Sequence, residues 1–195
     1  MDFVKLLRHS HIFSSAVRDI LETQMLQEVS PFPLSLSQFH ILKLMSINGD
    51  HQVGEVADFL GVSAPAATKN IDKLERLGLV VRKPNKDDRR ATLLSVSPLG
   101  RKLVMSYEEL KAARLYPALE EFDEEEIEAF AELLMRFSLA LFKLENPGSA
   151  FCLRCSAYLQ DGCPVGEARG GCPYEEICDA RKMEPNGRVP VGGVN

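Results

Sequence analysis

The sequence predicts a mainly α-helical chain carrying one small β-hairpin and a cysteine-rich tail, and three observations predict it. Residues 53 to 96 read as a short helix, a glycine break, a second helix and two β-rich runs joined by a basic loop. Apolar residues recur at helical spacing on either side of this segment, at 3 to 20 and again at 127 to 144. All five cysteines fall within the last 44 residues. Together these give a winged helix-turn-helix flanked by N- and C-terminal dimerisation helices, followed by a metal-binding tail. A chain of 195 residues has room for one well-cored domain and an appendage, but not for two full domains.

Phe3, Leu6, Phe13, Val17 and Ile20 form one near-heptad apolar seam, and Ser30-Pro31-Phe32-Pro33 stops that first helix. Residues 36 to 47 form the next helix, with Phe39, Leu42 and Leu44 among its apolar positions and the Asn48-Gly49-Asp50 turn at its end. Residues 53 to 60 make a short helix broken by Gly61. Ser63 is the expected N-cap of the following helix, which ends at Gly78, where a left-handed C-cap costs least. The β-rich runs are 79 to 82 and 92 to 96, too far apart for a two-residue turn, so the hairpin has an exposed tip. Ser97-Pro98 opens a helix that Pro117 is expected to interrupt, and Asp123 with Glu126 makes a capping-box start for the last. In that last helix Ile127, Phe130, Leu133, Leu134, Phe137, Leu141 and Leu144 return to one stripe, the pattern of a helix packed on another helix. The stripe and the N-terminal seam together suggest an intersubunit bundle. Asn146-Pro147-Gly148 ends it.

A net charge of -5 argues against nucleic acid only as a total, because the charge is segregated along the chain. Residues 61 to 102 hold ten Lys or Arg against four Asp or Glu, whereas 108 to 132 hold two against ten. In the 63 to 77 helix Ala67, Ile71, Leu74 and Gly78 share one face, leaving Pro65, Lys69, Lys73 and Arg76 on the other with Ala66 at its edge. Small side chains at the N-terminal end permit close approach to base edges, while lysines further along meet flanking phosphates. Thr68 adds a hydroxyl on the flank, Ser63 stands at the helix start, and Asn70 sits nearer the buried side. The hairpin tip adds Lys83, Lys86, Arg89 and Arg90 on a loop carrying Asp87 and Asp88; an arginine there can enter a narrow minor groove, and a neighbouring aspartate such as Asp88 can hold it extended.

At these residues the chain resembles the multiple-antibiotic-resistance regulator (MarR) family of bacterial transcription factors. The carrying motifs are Val53-Gly54-Glu55-Val56-Ala57, then Leu60-Gly61-Val62-Ser63, and the run Thr68-Lys69-Asn70-Ile71-Asp72-Lys73-Leu74-Glu75-Arg76-Leu77-Gly78-Leu79-Val80. Asp88-Arg89-Arg90, Leu93-Leu94-Ser95-Val96-Ser97 and Gly100 complete them. The resemblance covers about residues 3 to 145 and implies a triangular homodimer spanning a pseudo-palindromic operator, commonly as a repressor. It implies release of DNA when a phenolic ligand, an oxidant or a metal acts near the junction of dimer and reader. It also makes Arg90 the wing arginine, Asp88 its orienting partner and Lys69 the basic residue after threonine in the reading helix. The chain departs from the family in lacking an N-terminal cysteine and in its tail of about 50 residues, on which the resemblance is silent.

These readings divide the chain into an N-terminal dimerisation helix (1–34), a winged helix-turn-helix DNA-binding domain (35–97), C-terminal dimerisation helices (98–146) and the cysteine tail (147–195). Cys152-x2-Cys155-x7-Cys163-x8-Cys172-x5-Cys178 offers four thiolates for one site and a fifth to spare. An iron-sulfur cluster is the first expectation, since Cys163 and Cys172 each precede proline, and zinc the second. Metal-free thiols or disulfides are the third. No secretory signal and no run of about 18 apolar residues is present, so a cytoplasmic protein without membrane contact is expected. With no nucleotide-binding glycine loop and no nucleophile beside an evident base, an enzyme is not expected. The reading is a DNA-binding regulator, homodimeric on double-stranded operator DNA, open to a small-molecule inducer of unknown identity. The alternative is a thiol redox or electron-transfer protein that uses the winged helix as an interaction platform.

Overall fold

Local sequence rules account for most element boundaries in the computed structural model, which describes residues 2–85, 92–144 and 165. Asp2 accepts the Lys5 N–H and opens α1 (Phe3–Ala16), which runs on through a π-helical segment (Val17–Gln24) into α2 (Met25–Val29). The seam therefore lies on one long helix, but that helix is not uniformly α. Ser35 and Gln38 form a reciprocal capping box that starts α3 (Leu36–Asn48). α4 (Val53–Leu60) ends at Gly61, φ 62°, and α5 (Ala64–Arg76) is followed by Gly78, φ 71°, both in the left-handed region that glycine enters without penalty.

β1 (Val80–Pro84) pairs antiparallel with β2 (Thr92–Val96), Arg82 opposite Leu94. β2 matches its expected run, whereas β1 starts one residue later and ends two residues later than the sequence suggests, because Pro84 sits on the outer strand of a two-stranded pair, where a missing N–H is tolerated. On its other side β2 is held by His51, whose N–H and C=O exchange bonds with those of Leu94 at 3.0 and 2.7 Å. Ser97 caps α6 (Pro98–Leu119) by accepting the Gly100 N–H. This helix runs through Pro117 rather than stopping there. The lost donor would have served the Ala113 carbonyl, and the helix ends two residues later, so only its final turn is affected. Asp123 and Glu126 exchange the expected capping bonds before α7 (Glu124–Leu144).

The core lies between α3, α4, α5, the hairpin and the first half of α6. Phe39, Ile41, Leu42, Phe59, Ile71, Leu74, Leu79 and Leu94 are among its fully buried members, and Met25 of α2 joins them. No side chain of α1 or α7 is fully buried within one chain: Phe3, Phe13, Phe130, Leu133 and Leu141 are exposed and Leu134, Phe137 and Leu139 half-buried, while Phe13 and Phe130 meet edge to face at 5.6 Å. No helix among the described residues is long and apolar enough to cross a membrane.

Candidate nucleic-acid interface

The helix-turn-helix is set by α4 burying Val56, Ala57, Phe59 and Leu60 while Gly61 turns the chain into α5. In α5 the face carrying Ala67, Ile71 and Leu74 is wholly buried, and Pro65, Ala66, Lys69 and Arg76 are exposed on the opposite side. Gly78, expected on the buried face, is exposed because it lies past the helix end, in the turn. Ser63 occupies the N-cap position but makes no side-chain cap bond. Pro65 removes one of the two amides that a capping hydroxyl could take. Thr68 is half-buried and donates its hydroxyl to the Ala64 carbonyl at 2.8 Å.

Side-chain ties hold α5 to its neighbours, and two of them engage residues expected to face DNA. Asn70 accepts from Gln38 of α3 at 3.1 Å and donates to the Ala66 carbonyl, so it is an anchor on the inner flank. Lys73 donates to the Pro33 carbonyl at 2.7 Å, which draws its ammonium toward the segment before α3 and away from an outward phosphate-facing position. Of the expected cations on α5, Lys69 and Arg76 are therefore the outward ones. On the hairpin, Arg82 reaches back to α5, its two terminal nitrogens lying 2.6 Å from Asp72 Oδ1 and 2.9 Å from Glu75 Oε2. Sequence reasoning passed over Arg82; the signal was a pair of carboxylates at i, i+3 on the reading helix with an arginine in the next strand. Lys86, Asp88, Arg89 and Arg90 lie outside the described residues, as do Cys152, Cys155, Cys163, Cys172 and Cys178.

Behind the reader, a buried polar cluster joins α3 to α6. Lys43, with its side chain 5% exposed, places Nζ 2.7 Å from Glu108 Oε1, and Lys111 pairs with the other carboxylate oxygen. Tyr107 donates to the Leu21 carbonyl in the π-helical segment at 2.6 Å and packs on Phe39, ring centroids 4.5 Å apart. Burial lowers the Lys43 ammonium against the opposing pull of Glu108. For Glu108 burial acts upward, but Lys43 and Lys111 together outweigh it and hold the carboxyl below its ordinary range. Burial, with Glu108 and Glu22 adding to it, raises the Tyr107 hydroxyl.

A cationic reading helix presented outward, a hairpin beside it and a helical stalk behind it define the class of winged helix-turn-helix DNA-binding transcriptional regulators. A model of the MarR family matches residues 34–92. The HTH-type transcriptional regulator MhqR of Bacillus subtilis (strain 168) is 28% identical over 135 residues, 69% of this chain and 92% of the relative. The uncharacterized HTH-type transcriptional regulator YwoH of the same organism is 30% identical over 114 residues, 57% of this chain and 80% of the relative. Streptococcus pneumoniae FabT, solved in complex with DNA, is similar in fold at TM-score 0.61 and 22% identity, with 72% of this chain and 99% of that one covered. The chain belongs to the MarR family of transcriptional regulators, whose members are not enzymes.

Proposed function

We propose that the chain is a cytoplasmic homodimeric repressor whose two winged lobes read the halves of a pseudo-palindromic operator. Its tail cysteines hold an iron-sulfur cluster, or zinc in its place, that ties DNA affinity to redox or metal state. The observation carrying the DNA reading is α5 itself: one face is fully buried, and the other offers Pro65, Ala66, Lys69 and Arg76 to a groove. FabT, similar in fold, was solved in complex with DNA, which supports DNA as the partner of this chain. The homodimer is supported by α1 and α7, which leave Phe3, Phe13, Phe130, Leu133 and Leu141 exposed in one copy as an apolar surface that a second copy would cover. The metal reading rests on donor chemistry, thiolates in a compact run with one Cys-x2-Cys turn. A small-molecule inducer is the alternative signal if the tail carries no metal.

The test compares Lys69→Ala and Arg90→Ala with a variant lacking only the tail cysteines. Binding is measured against salt on a duplex selected by the wild-type protein from a randomised pool. Each basic substitution is expected to weaken binding and to lower the salt slope by roughly one, while the cysteine variant leaves the slope unchanged. Unaltered binding by both basic variants would overturn the DNA reading. Anaerobic purification with iron, sulfide and zinc analysis decides the tail: iron with sulfide supports a cluster, zinc a structural site, and neither removes the metal from the proposal. A redox activity surviving Lys69→Glu with Lys73→Glu would favour the thiol alternative.

A further inference from the structure

We infer that Arg82 is a positioning residue for DNA binding: its bridge to Asp72 and Glu75 fixes the angle between the reading helix and the hairpin, and so the spacing of groove contacts the protein accepts. The inference rests on the DNA reading above. Asp72 and Glu75 are one helical turn apart on α5, neither of them buried, on a helix whose outward cations face a polyanion. Two carboxylates there oppose DNA, which makes their retention on purely electrostatic grounds costly. What they gain is Arg82, whose planar fork takes one carboxylate on each terminal nitrogen, at 2.6 and 2.9 Å. A guanidinium held at two points has a defined orientation, which a single flexible ammonium cannot reproduce.

The position of Arg82 in the hairpin matters as much as its partners. It sits at the middle of β1, opposite Leu94, and Leu94 is the residue whose backbone is locked to His51 ahead of α4. The hairpin is thus tied on one edge to the start of the helix-turn-helix and at mid-strand to the reading helix. With both ties made, the two DNA-facing parts move as one body. With the Arg82 tie cut, the base of the hairpin stays held by buried Val80, Leu94 and Val96, the His51 backbone link and the Ser95–Asp50 bond, but its outer half loses its side-chain tie to α5 and can swing relative to that helix.

The experiment uses the full-length protein and the selected duplex, with binding titrations and hydroxyl-radical footprints. Three variants are compared: Arg82→Gln, Arg82→Lys and Asp72→Asn with Glu75→Gln. Arg82→Gln is expected to weaken binding roughly tenfold and to lose the outer protection made by the hairpin while keeping the central protection made by α5. Arg82→Lys, charged but unforked, is expected to restore only part of it. The carboxylate pair variant discriminates most sharply. Removing two negative charges beside DNA strengthens binding if charge is all that matters, whereas loss of positioning removes the outer protection although the helix has become more cationic. Tighter binding with an intact footprint in that variant overturns the inference. Lys69→Ala and Arg90→Ala serve as the controls: if both leave binding intact, the DNA reading has failed; if either weakens binding while all Arg82 variants match wild type, only this inference has.

Discussion

Replacing Glu108 by glutamine isolates what the buried pair behind the reader contributes. Lys43 is almost wholly enclosed, at 5% side-chain exposure, while Glu108 keeps 38%, so the two halves of the pair are unequal. Removing one partner of a fully buried pair costs about 3–5 kcal/mol. The partial exposure of Glu108, the second contact it makes with Lys111 and the nearby Glu22 carboxylate all reduce that figure. We expect Glu108→Gln to lose about 2 kcal/mol, because an enclosed ammonium is left without its carboxylate. Lys43→Met removes the enclosed charge and fills similar volume, and Glu108 retains Lys111, so its cost is expected to stay within about 1 kcal/mol. Urea unfolding at fixed protein concentration reads both from the midpoints at unchanged slope. The pH dependence has a defined sign. Glu108 is held below its ordinary range, so its contribution is complete above that range and is lost as pH falls through the folded value. Lys43 is also lowered, so the unfolded chain binds that proton more readily, and its cost is relieved as pH rises. Wild-type stability should therefore climb from acid toward neutral pH, and Glu108→Gln should flatten the climb. Equal losses for Lys43→Met and Glu108→Gln, or an unchanged acid limb, would refute the asymmetry argued from burial.

Two further substitutions test packing. At Gly100 an added methyl would collide with the Leu79 carbonyl oxygen and lie 2.9 Å from Val96 Cγ2, so Gly100→Ala should cost about 3 kcal/mol, read as a lowered thermal midpoint; a neutral result would mean that α6 can lift off the hairpin stem without penalty. Ser46 Oγ is buried with no hydrogen-bond partner among the described residues, so Ser46→Ala should stabilise by about 1 kcal/mol in denaturant melts, and any loss would point to a bond the hydroxyl makes after all.

The parts legible in the sequence are those governed by neighbours three or four residues away. The buried Ala67, Ile71 and Leu74 face, the break at Gly61 and the Asp123–Glu126 cap follow from helical periodicity and end chemistry. The outward placement of Pro65, Ala66, Lys69 and Arg76 follows from the same rule. What was not legible depends on long-range meetings. Lys73 looks like a phosphate ligand by its helix position, and only the approach of Pro33, 40 residues away, gives it another partner. Lys43 reads as a surface lysine until α6 brings Glu108 over it. Arg82 looks like one basic residue in a basic hairpin until the hairpin folds against α5. Pro117 does not interrupt α6 as its residue type suggests, because proline's penalty depends on how much helix remains beyond it.

The π-helical stretch at Val17–Gln24 works as a gear change within one rod. A residue taken up by a wider turn shifts the phase of everything beyond it by about 100° relative to an unbroken α-helix. Phe13 can then face Phe130 while Met25 and Leu26, further along the same rod, plug into the reader's core. One continuous backbone thus serves two differently oriented surfaces without a loop between them. The step itself is pinned to α6, where Tyr107 donates its hydroxyl to the Leu21 carbonyl.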